Sequence, residues 1–337
     1  MIEIKENFSL KKYNTFGFDI NCRYFASFSN EEELKELLLI HKNKNIPLMV
    51  IGGGSNILFT KNFNGLIIQP TICGIEIINE TDDSVDLRVG AGENWDSFVE
   101  YCVNRNWGGV ENLSLIPGFV GTCPIQNIGA YGVEVKDVIL KVETIDIESL
   151  RKQEFANTEC RFGYRESIFK HDLKGKQVIT YVHFKFNKNH EYKLNYGNLN
   201  EELQKYESIN LKNIRNAVID IRNSKLPKPE ETGNAGSFFK NPEVKEAVFE
   251  KIRQQYQDVP NFKQSNNNVK IPAGWLIEQA GWKGKNIGNA AVHNKQALVL
   301  INRGNATGAE VLYLAREIQK SVNNQFGIEL EMEVNVV

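Results

Sequence analysis

Cysteine motifs, paired histidines and long apolar runs are missing from this chain of 337 residues, and each absence excludes a class of protein. The five cysteines are odd in number and form no CxxC pair, which indicates free thiols in a reducing compartment rather than a disulfide framework. The five histidines form no HExxH or HxH pattern, so we expect no metal site.

A charge imbalance and a membrane signal are also missing. The net charge is −2 and the pI is about 6.3, which argues against a nucleic-acid partner. Residues 1–19 are charged and lack the apolar core of a signal peptide. The longest apolar runs, such as 297–301, are too short to span a bilayer, so we expect a cytoplasmic protein without membrane insertion.

Familiar catalytic signatures are absent as well. The chain has no Walker phosphate-binding sequence, it lacks the set of motifs found in protein kinases, and it shows no Ser-His-Asp catalytic triad. Residues 85–95 begin like a dinucleotide-binding βαβ unit, but Trp95 stands where the third glycine belongs, so that interpretation is rejected. The length predicts two or three domains of about 100–200 residues each.

The most unusual stretch that is present is the central loop, residues 114–132, SLIPGFVGTCPIQNIGAYG. It is almost uncharged and rich in glycine and proline. Few of its side chains can accept hydrogen bonds, so its backbone N–H groups need another acceptor. An anionic ligand with a flat apolar body would supply one, and a tight structural loop is the equally weighted alternative.

A second glycine-rich turn follows a predicted strand at 48–51. Residues 52–56, GGGSN, offer consecutive N–H groups of the kind that form a phosphate-binding nest. A tight turn between strands is about as good an explanation.

Apolar periodicity predicts the remaining elements. A helix over 29–44 is expected to start with Ser29 and Glu32 as a capping box. Alternation predicts a strand over 178–186 that is buried on one face, and the terminal residues also alternate. Further helices are expected near 95–103, 211–224, 243–256, 273–281 and 308–324, the last capped by Thr307 and Glu310.

Three features carry candidate chemistry. Arg165 beside Tyr164 suits the binding of a planar carboxylate. Ser237 is flanked by Gly233 and Gly236, and Glu333 lies in the C-terminal alternating stretch. Each also has an ordinary explanation: Arg165 in a surface ion pair, Ser237 as a helix cap, Glu333 on a solvated strand face.

Taken together, the motifs resemble the UDP-N-acetylenolpyruvoylglucosamine reductase family. The resemblance runs from NTFG at 14–17 to the C-terminus, and Tyr196 matches a substrate-clamping tyrosine of the longer family form. The motifs are IGGGSN at 51–56, IPGFVGTCPIQNIGAYG at 116–132, FGYRESIFK at 162–170, KLP at 225–227, GNAGSFFKNP at 233–242, AAVHNKQALVLIN at 290–302 and LEMEV at 330–334.

The resemblance implies an α+β protein whose FAD-binding fold is of the vanillyl-alcohol oxidase type, followed by a C-terminal α+β substrate domain. We expect a first FAD-binding subdomain at 1–70, joined by a C-terminal strand at 326–337. The second subdomain is expected at 71–224 and the substrate domain at 225–325.

The resemblance also implies a non-covalently bound FAD cradled by both glycine loops. Cys123 replaces a serine found in many relatives, so one hydroxyl contact to the cofactor is in doubt. The expected cofactor-binding residues are Gly53, Gly54, Ser55, Asn56, Gly118, Gly121, Thr122, Asn127, Gly129, Ala130 and Arg222.

The implied reaction uses NADPH to reduce FAD, which then reduces the enolpyruvyl ether of UDP-N-acetylglucosamine to UDP-N-acetylmuramate for peptidoglycan synthesis. Arg165 and Glu333 would stabilise the enolate-like charge, and Ser237 would deliver the proton. Expected substrate-binding residues are Tyr164, Tyr196, Lys225, Asn241, Lys283 and Gln296.

Two other functions stay open at this stage. One is an oxidase with the same flavin-binding fold that would use dioxygen. The glycines around Ser237 and the motif that contains Arg165 disfavour it. The other is a nucleotide-sugar binding protein without cofactor, which the intact glycine loops disfavour. We expect a monomer.

Overall fold

The computed structural model describes residues 2–264 and 267–337, and both helices and strands are present throughout this part of the chain. The described residues form seven α-helices: α1 (Glu31–Lys44), α2 (Trp95–Asn104), α3 (Leu199–Leu203), α4 (Leu211–Lys225), α5 (Glu246–Gln255), α6 (Ala273–Gln279) and α7 (Gly308–Phe326). The predicted α+β class is confirmed.

The same residues form twenty strands: β1 (Lys5–Ser9), β2 (Asn21–Phe28), β3 (Leu48–Val50), β4 (Ile57–Leu58), β5 (Phe63–Pro70), β6 (Ile75–Glu80), β7 (Ser84–Gly90), β8 (Gly129–Ala130), β9 (Val133–Glu134), β10 (Ile139–Asp146), β11 (Lys152–Ala156), β12 (Gln177–Asn187), β13 (Asn234–Ser237), β14 (Glu243–Lys245), β15 (Phe262–Lys263), β16 (Asn268–Lys270), β17 (Asn286–Ile287), β18 (Ala290–Val292), β19 (Val299–Asn302) and β20 (Asn335–Val336).

The chain divides into two compact units. Unit 1 contains the segment ending at Phe8 together with Cys22–Gly53 and Phe63–Ser224. Unit 2 contains Ser9–Asn21, Gly54–Asn62 and Lys225–Val337. The predicted assignment of three domains, with boundaries after 70 and 224, stays a prediction.

Unit 1 is built on two sheets. One has the strand order β1-β2-β5-β3, with β5 parallel to both β2 and β3. The other is antiparallel, in the order β11-β10-β12-β7-β6. The strand predicted over 178–186 is β12, and the face predicted to be buried is buried. Its second face is buried in part, since His183 is buried beside Glu143 of β10 while Lys185 is exposed.

Helix α2 packs on the antiparallel sheet of unit 1 through the predicted apolar stripe. Trp95, Phe98, Val99, Cys102 and Val103 are all buried in it. Their spacing places them on one face, and the core contacts Phe98–Phe184 and Trp95–Phe184 join this face to β12. The residues just before α2 accept backbone hydrogen bonds from the central loop, at Ala91 O and Glu93 O, so this core holds one side of the loop in place.

Helix α1 begins differently from the prediction. Asn30 is the N-cap, since its side chain accepts from the N–H of Glu33 at 2.8 Å. Ser29 donates from both its N–H and its hydroxyl to the Glu33 carboxylate. The predicted capping pair of Ser29 with Glu32 is wrong by one residue. Asparagine competes with serine as an N-cap, and with Asn30 in that position the carboxylate of Glu33 accepts hydrogen bonds from Ser29.

Unit 2 is built on a four-stranded antiparallel sheet in the order β13-β19-β18-β17, with a smaller sheet in the order β14-β16-β15. Helix α7 covers its core, and its predicted capping box is confirmed: Thr307 accepts from Glu310 N–H and Glu310 accepts from Thr307 N–H. Gly327 ends this helix in a left-handed conformation at φ 67°.

The terminal segment of unit 2 keeps the predicted alternation as far as Val334 but not at Val336, which is 43% exposed, and it forms little strand. Ile328, Leu330 and Val334 are buried, whereas only Asn335–Val336 is a strand, paired in parallel with β4. Phe326 still belongs to α7. The alternation here comes from packing on the core, since the segment contacts its neighbours through a few separate hydrogen bonds rather than a long ladder.

No described helix is both long and apolar enough to cross a membrane.

Candidate functional site

The central loop is fastened to the turn between β7 and α2 by its own backbone. Val120 N–H donates to Glu93 O at 2.8 Å, and Gly121 N–H donates to Ala91 O at 2.9 Å. Gly118 O accepts from Trp95 N–H at 3.0 Å. The acceptors that these N–H groups were expected to need are neighbouring carbonyls, which composition cannot reveal, so these groups do not require an anionic ligand.

The two glycine-rich loops lie against each other within unit 1. A Cβ built on Gly53 would lie 3.3 Å from Gly118 Cα, and one built on Gly52 would lie 2.6 Å from Thr122 Cγ2. A Cβ on Gly121 would lie 2.6 Å from Ala91 Cβ. Side chains at Gly52 and Gly53 would crowd the central loop, and one at Gly121 would crowd the turn before α2, so glycine allows the close backbone approach at all three positions.

Arg165 lies in a tight turn beside this cradle. Gly163 and Glu166 exchange both backbone hydrogen bonds, and Arg165 between them takes a left-handed conformation at φ 57°. Its Nη2 donates to Gly129 O at 2.6 Å, and its guanidinium lies 5.3 Å from the Tyr164 ring centroid. A non-glycine residue held in this conformation stores strain, and such residues cluster at functional sites.

Asn127 joins the central loop to the Arg165 turn. Its Nδ2 donates to Gly163 O at 2.9 Å, and its Oδ1 accepts from Lys136 N–H at 3.0 Å. The residue is fully buried and has φ 45°. Its predicted cofactor contact stays a prediction, while its side chain holds the turn that presents Arg165.

Arg222 on α4 is the described group in unit 1 that best fits an anion. Its Nε is buried and has no hydrogen-bond partner among residues 2–264 and 267–337. Burial lowers the pKa of its guanidinium, although Tyr131 and Asp96 oppose that shift. A buried cation with an unused donor, together with the glycine cradle, fits a cofactor that carries a diphosphate.

Asp96 and Arg215 form a buried ion pair that sequence reasoning missed. Arg215 Nη1 and Nη2 lie 2.6 and 3.0 Å from the two Asp96 oxygens, and Leu115 N–H donates to Asp96 Oδ1 at 2.5 Å. Burial would raise the pKa of Asp96, but the Arg215 hydrogen bonds and the Leu115 N–H outweigh it and lower that pKa. The pair fixes the first residues of the central loop to α2 and α4.

Tyr196 lies beside the end of the central loop. Its ring meets the Tyr131 ring edge-on, with centroids 6.4 Å apart, and it is 42% exposed. A Cβ on Gly132 would lie 3.5 Å from Tyr196 Cβ. The structure thus brings the predicted substrate tyrosine to the predicted cofactor loop within unit 1.

Ser237 is presented by a β-bulge in unit 2. Asn234 pairs with Ile301 and Ser237 with Val299, so β13 has one extra residue relative to β19. Gly236 takes φ 68° in this bulge, and its N–H donates to Asn234 Oδ1 at 3.0 Å. The bulge needs glycine at the left-handed position, and it leaves Ser237 exposed at the strand end.

Glu333 lies close to Ser237 along the backbone of unit 2. Its N–H donates to Phe238 O at 2.9 Å, one residue after Ser237. Asn56 Nδ2 donates to Glu333 O at 3.3 Å, and Asn56 O accepts from Asn335 N–H at 3.1 Å. Gly54, at φ 65°, would place a Cβ in collision with Tyr13 O, so it also requires glycine.

Two predicted substrate residues meet at the start of α6. Asn241 Oδ1 accepts from Ala273 N–H at 2.9 Å, and a Cβ on Gly274 would lie 3.2 Å from Gln296 Oε1. Lys283 lies beyond the other end of this helix, where its Nζ is 2.8 Å from Glu278 Oε1. Lys225 is the last residue of α4 and is exposed.

Cys123 is part of the central loop and its thiol is buried, which raises its pKa well above the usual value, so it stays protonated. Within the described ranges, no three His, Cys, Asp or Glu side chains are grouped so that they would hold a metal ion.

Comparison with known proteins gives two matching family models. Residues 23–149 match the FAD binding domain. Residues 228–337 match the UDP-N-acetylenolpyruvoylglucosamine reductase C-terminal domain. Together these confirm the predicted FAD-binding fold followed by a C-terminal substrate domain.

Full-length relatives carry the same family name. The UDP-N-acetylenolpyruvoylglucosamine reductase of Flavobacterium johnsoniae is 50% identical and covers 100% of both chains. That of Bacteroides fragilis is 48% identical over 99% of this chain and 100% of its own. The crystal structure of the Thermus caldophilus enzyme shares the fold, with a TM-score of 0.69, 23% identity, and 100% and 98% coverage. This chain therefore belongs to the UDP-N-acetylenolpyruvoylglucosamine reductase family.

Proposed function

We propose that this protein reduces the enolpyruvyl ether of UDP-N-acetylglucosamine to UDP-N-acetylmuramate, with NADPH as reductant, in peptidoglycan precursor synthesis. The full-length relationship at 50% identity supports the reaction. The observation in the structure that carries it is Arg165, held in a strained turn against the glycine cradle.

FAD is the cofactor, and when bound it accepts a hydride from NADPH and supplies one to the substrate. We assign its binding to the two glycine loops and to Arg222, whose unused donor fits the diphosphate. The chain offers Gly53, Gly54, Ser55, Asn56, Gly118, Gly121, Thr122, Asn127, Gly129 and Ala130 for this purpose. We expect the binding to be non-covalent.

Arg165 holds the substrate carboxylate and stabilises the charge that develops next to it. Its guanidinium is already oriented by Gly129 O, and its planar fork matches the two oxygens of a carboxylate. Glu333 assists as a protonated donor, and the Ser237 hydroxyl gives its proton to the substrate carbon that bears the ether oxygen. The bulge at Gly236 gives that hydroxyl its access.

The nucleotide-sugar is held by Tyr164, Tyr196, Lys225, Asn241, Lys283 and Gln296. Lysine ammonium groups suit the diphosphate as point charges, and the tyrosines suit flat or polar parts of the nucleotide. Asn241 uses its oxygen to cap α6, which leaves its N–H groups for the ligand. We further propose that the protein acts as a monomer in the cytoplasm.

Anaerobic half-reactions test the proposal. NADPH is added to the purified protein, then the enolpyruvyl substrate, while the visible flavin absorbance is followed. We expect bleaching and then recovery. A protein without bound flavin would indicate a simple binding protein, and recovery with dioxygen but not with substrate would indicate an oxidase. Acid precipitation should release the flavin into the supernatant, and colour left in the pellet would contradict non-covalent binding.

A further inference from the structure

One buried side chain, Asn112, fastens the segment that carries Tyr196 to the central loop. Asn112 Nδ2 donates to Tyr131 O at 2.8 Å and to Lys193 O at 2.7 Å. Tyr131 belongs to the central loop, and Lys193 precedes Tyr196 by three residues. Because Asn112 is 0% exposed, water does not compete for these bonds.

A ring contact continues this link to Tyr196 itself. The rings of Tyr131 and Tyr196 meet at 84°, an edge-on arrangement that is favourable for aromatic pairs. Tyr131 is held in a left-handed conformation at φ 47°. Asn112 fixes the backbone of Tyr131, and that backbone sets the position of the Tyr131 ring. Asn112 therefore influences where the Tyr196 ring packs.

The start of the same segment is fixed separately. Gly108 N–H donates to Asn187 O at 2.9 Å, and His190 Nε2 lies 3.1 Å from Asn106 Oδ1. A Cβ on Gly108 would lie 2.6 Å from His190 Nδ1. The Asn112 hydrogen bond to Lys193 O holds the same segment three residues after His190.

The second polar atom of Asn112 argues against a purely stabilising role. Its Oδ1 is buried and has no partner among the described residues. A buried acceptor without a hydrogen bond destabilises a fold, and an apolar side chain of the same shape would avoid that cost. The two donated bonds therefore serve to position the segments that they join.

We propose that Asn112 is a positioning residue for substrate binding, which holds Tyr196 against the central loop before the nucleotide-sugar arrives. Ordering a loop opposes binding, so a segment that is already ordered binds more tightly. The proposal rests on the proposed substrate role of Tyr196. It assigns Asn112 no contact with substrate or cofactor.

The test uses Asn112→Leu in the FAD-loaded protein. Leucine matches the shape of asparagine but donates no hydrogen bond. We expect the KM for the enolpyruvyl substrate to rise about 10-fold. The rate of flavin reduction by NADPH and the FAD content should stay unchanged. Amide hydrogen exchange within residues 192–198 should become faster in the absence of substrate.

The matched control is Asn157→Leu. Asn157 Nδ2 also donates to two carbonyls of unit 1, Lys136 O and Ile139 O, each at 2.8 Å. This variant loses the same kind of link elsewhere, so the substrate KM and the exchange of residues 192–198 should not change. If Asn112→Leu does not fold, Asn112→Asp removes both donations at constant size, and its defect should lessen at low pH, where the protonated acid can donate once.

A double-mutant cycle with Tyr196→Ala decides whether Asn112 acts through Tyr196. In the Tyr196→Ala background, Asn112→Leu should cause no further rise in KM. If the two effects add fully, or if exchange at 192–198 is unchanged in Asn112→Leu, the positioning role is wrong. If Tyr196→Ala alone leaves KM unchanged, the substrate role of Tyr196 is wrong, and the role of Asn112 is wrong with it.

Discussion

At the scale of single residues, the backbone at Arg165 is unusual because arginine occupies a conformation that suits glycine. A left-handed conformation costs an L-residue about 1–2 kcal/mol. The Gly163–Glu166 hydrogen bonds and the Asn127 contact to Gly163 O hold the turn despite that cost. The fold therefore gives up some stability to keep Arg165 in this conformation. Since Arg161 has the same kind of backbone, the assignment also depends on where the Arg165 guanidinium lies, against Gly129 O at the central loop.

Arg165→Lys should not be conservative. Lysine keeps the positive charge but cannot hold Gly129 O and a carboxylate with one planar group. We expect reoxidation of the flavin by substrate to slow by about 10²-fold, on the scale of losing one oxyanion donor. Flavin reduction by NADPH should suffer much less, as stopped-flow measurement of each half-reaction would show.

Arg161→Lys is the control for this change. Arg161 also has a left-handed backbone, at φ 45°, but it is exposed and pairs with Asp172 at 2.9 Å. Both half-reactions should be normal in this variant. Equal damage to both half-reactions by Arg165→Lys would show that the arginine supports the cofactor site instead of the substrate.

Ser237→Ala should separate the two half-reactions most cleanly. The bulge geometry depends on Gly236 and Asn234, so alanine at 237 leaves the backbone and the FAD content unchanged. Flavin reduction by NADPH should be normal, while reoxidation by substrate should fall by about 10²–10⁴-fold, the range for a lost general acid. Ser237→Cys should recover part of the rate, since a thiol is also a proton donor. Normal reoxidation of the flavin in Ser237→Ala would mean that the proton comes from Glu333 or a water instead.

At the scale of elements, the central loop is a packed structure as well as a proposed ligand cradle. Its carbonyl and N–H groups bind the turn at 91–95, and its glycines allow contact with Ala91 and Gly53. Both alternatives raised by the sequence, a tight structural loop and a cradle, therefore describe properties that one segment can have together. Packing fixes the loop, and a fixed loop presents a preformed surface.

Gly121→Ala tests this packing. The new Cβ would lie 2.6 Å from Ala91 Cβ and 3.0 Å from Ala91 O, so the loop must shift. We expect a loss of about 1–3 kcal/mol in the free energy of unfolding, as for an overpacked core, together with weaker FAD retention. Urea unfolding and the flavin-to-protein absorbance ratio measure the two effects. Adding Ala91→Gly should restore part of both, and no recovery would mean that the damage does not come from this contact.

The sequence predicted the elements that depend on local signals. The apolar stripe of α2 and the Thr307–Glu310 box of α7 follow from spacing alone, and the structure has both. The start of α1 was wrong by one residue, because serine and asparagine both cap helices and only geometry chooses between them. The strand-like ending was overestimated, because alternation records burial and not pairing.

The candidate site was predictable only where a motif named it. Composition singled out the glycine loops, Arg165 and Ser237, and the resemblance supplied their expected roles. The structure adds the strained turn, the bulge and the close approach of the loops. The pair Asp96–Arg215 and the link through Asn112 had no sequence signal, since their partners are far apart in the chain. Such contacts depend on tertiary packing, which composition and periodicity do not report.

At the scale of the whole molecule, acid stability depends on carboxylates buried with cations, and Glu143 in unit 1 is the strongest case. Its carboxylate accepts from His183 at 2.6 Å, from Arg88 at 2.8 and 3.0 Å, and from Lys152 at 2.7 Å. Burial alone would raise the pKa of Glu143, but these hydrogen bonds outweigh it and hold that pKa far below its usual range. Strands β7, β10, β11 and β12 each contribute one of the four residues.

The sign of the pH dependence follows from that lowered pKa. Above the pKa of about 4.3 for an unfolded glutamate, the carboxylate is charged in both states and its full contribution to stability is present. As the pH falls below that value, the unfolded chain binds a proton that the folded protein does not bind, so stability is lost progressively towards the much lower folded pKa. Wild-type protein should therefore lose stability between about pH 5 and pH 3.

Glu143→Gln should lower the free energy of unfolding at pH 7 by about 3 kcal/mol, because the partly buried Arg88 and Lys152 at the surface lose charge-assisted hydrogen bonds to a buried carboxylate. The free energy of unfolding should also fall less steeply between about pH 5 and pH 3 than in the wild type, because one carboxylate no longer titrates.

Glu154→Gln is the control. Glu154 is paired with Glu143 in the sheet register, but its side chain pairs with Lys141 at the surface, where an ion pair contributes about 1 kcal/mol or less. Urea unfolding of the FAD-loaded proteins at several pH values measures both quantities. An unchanged slope in Glu143→Gln would mean that other carboxylates control acid unfolding, with Asp96, whose pKa is also lowered, as the next residue to replace.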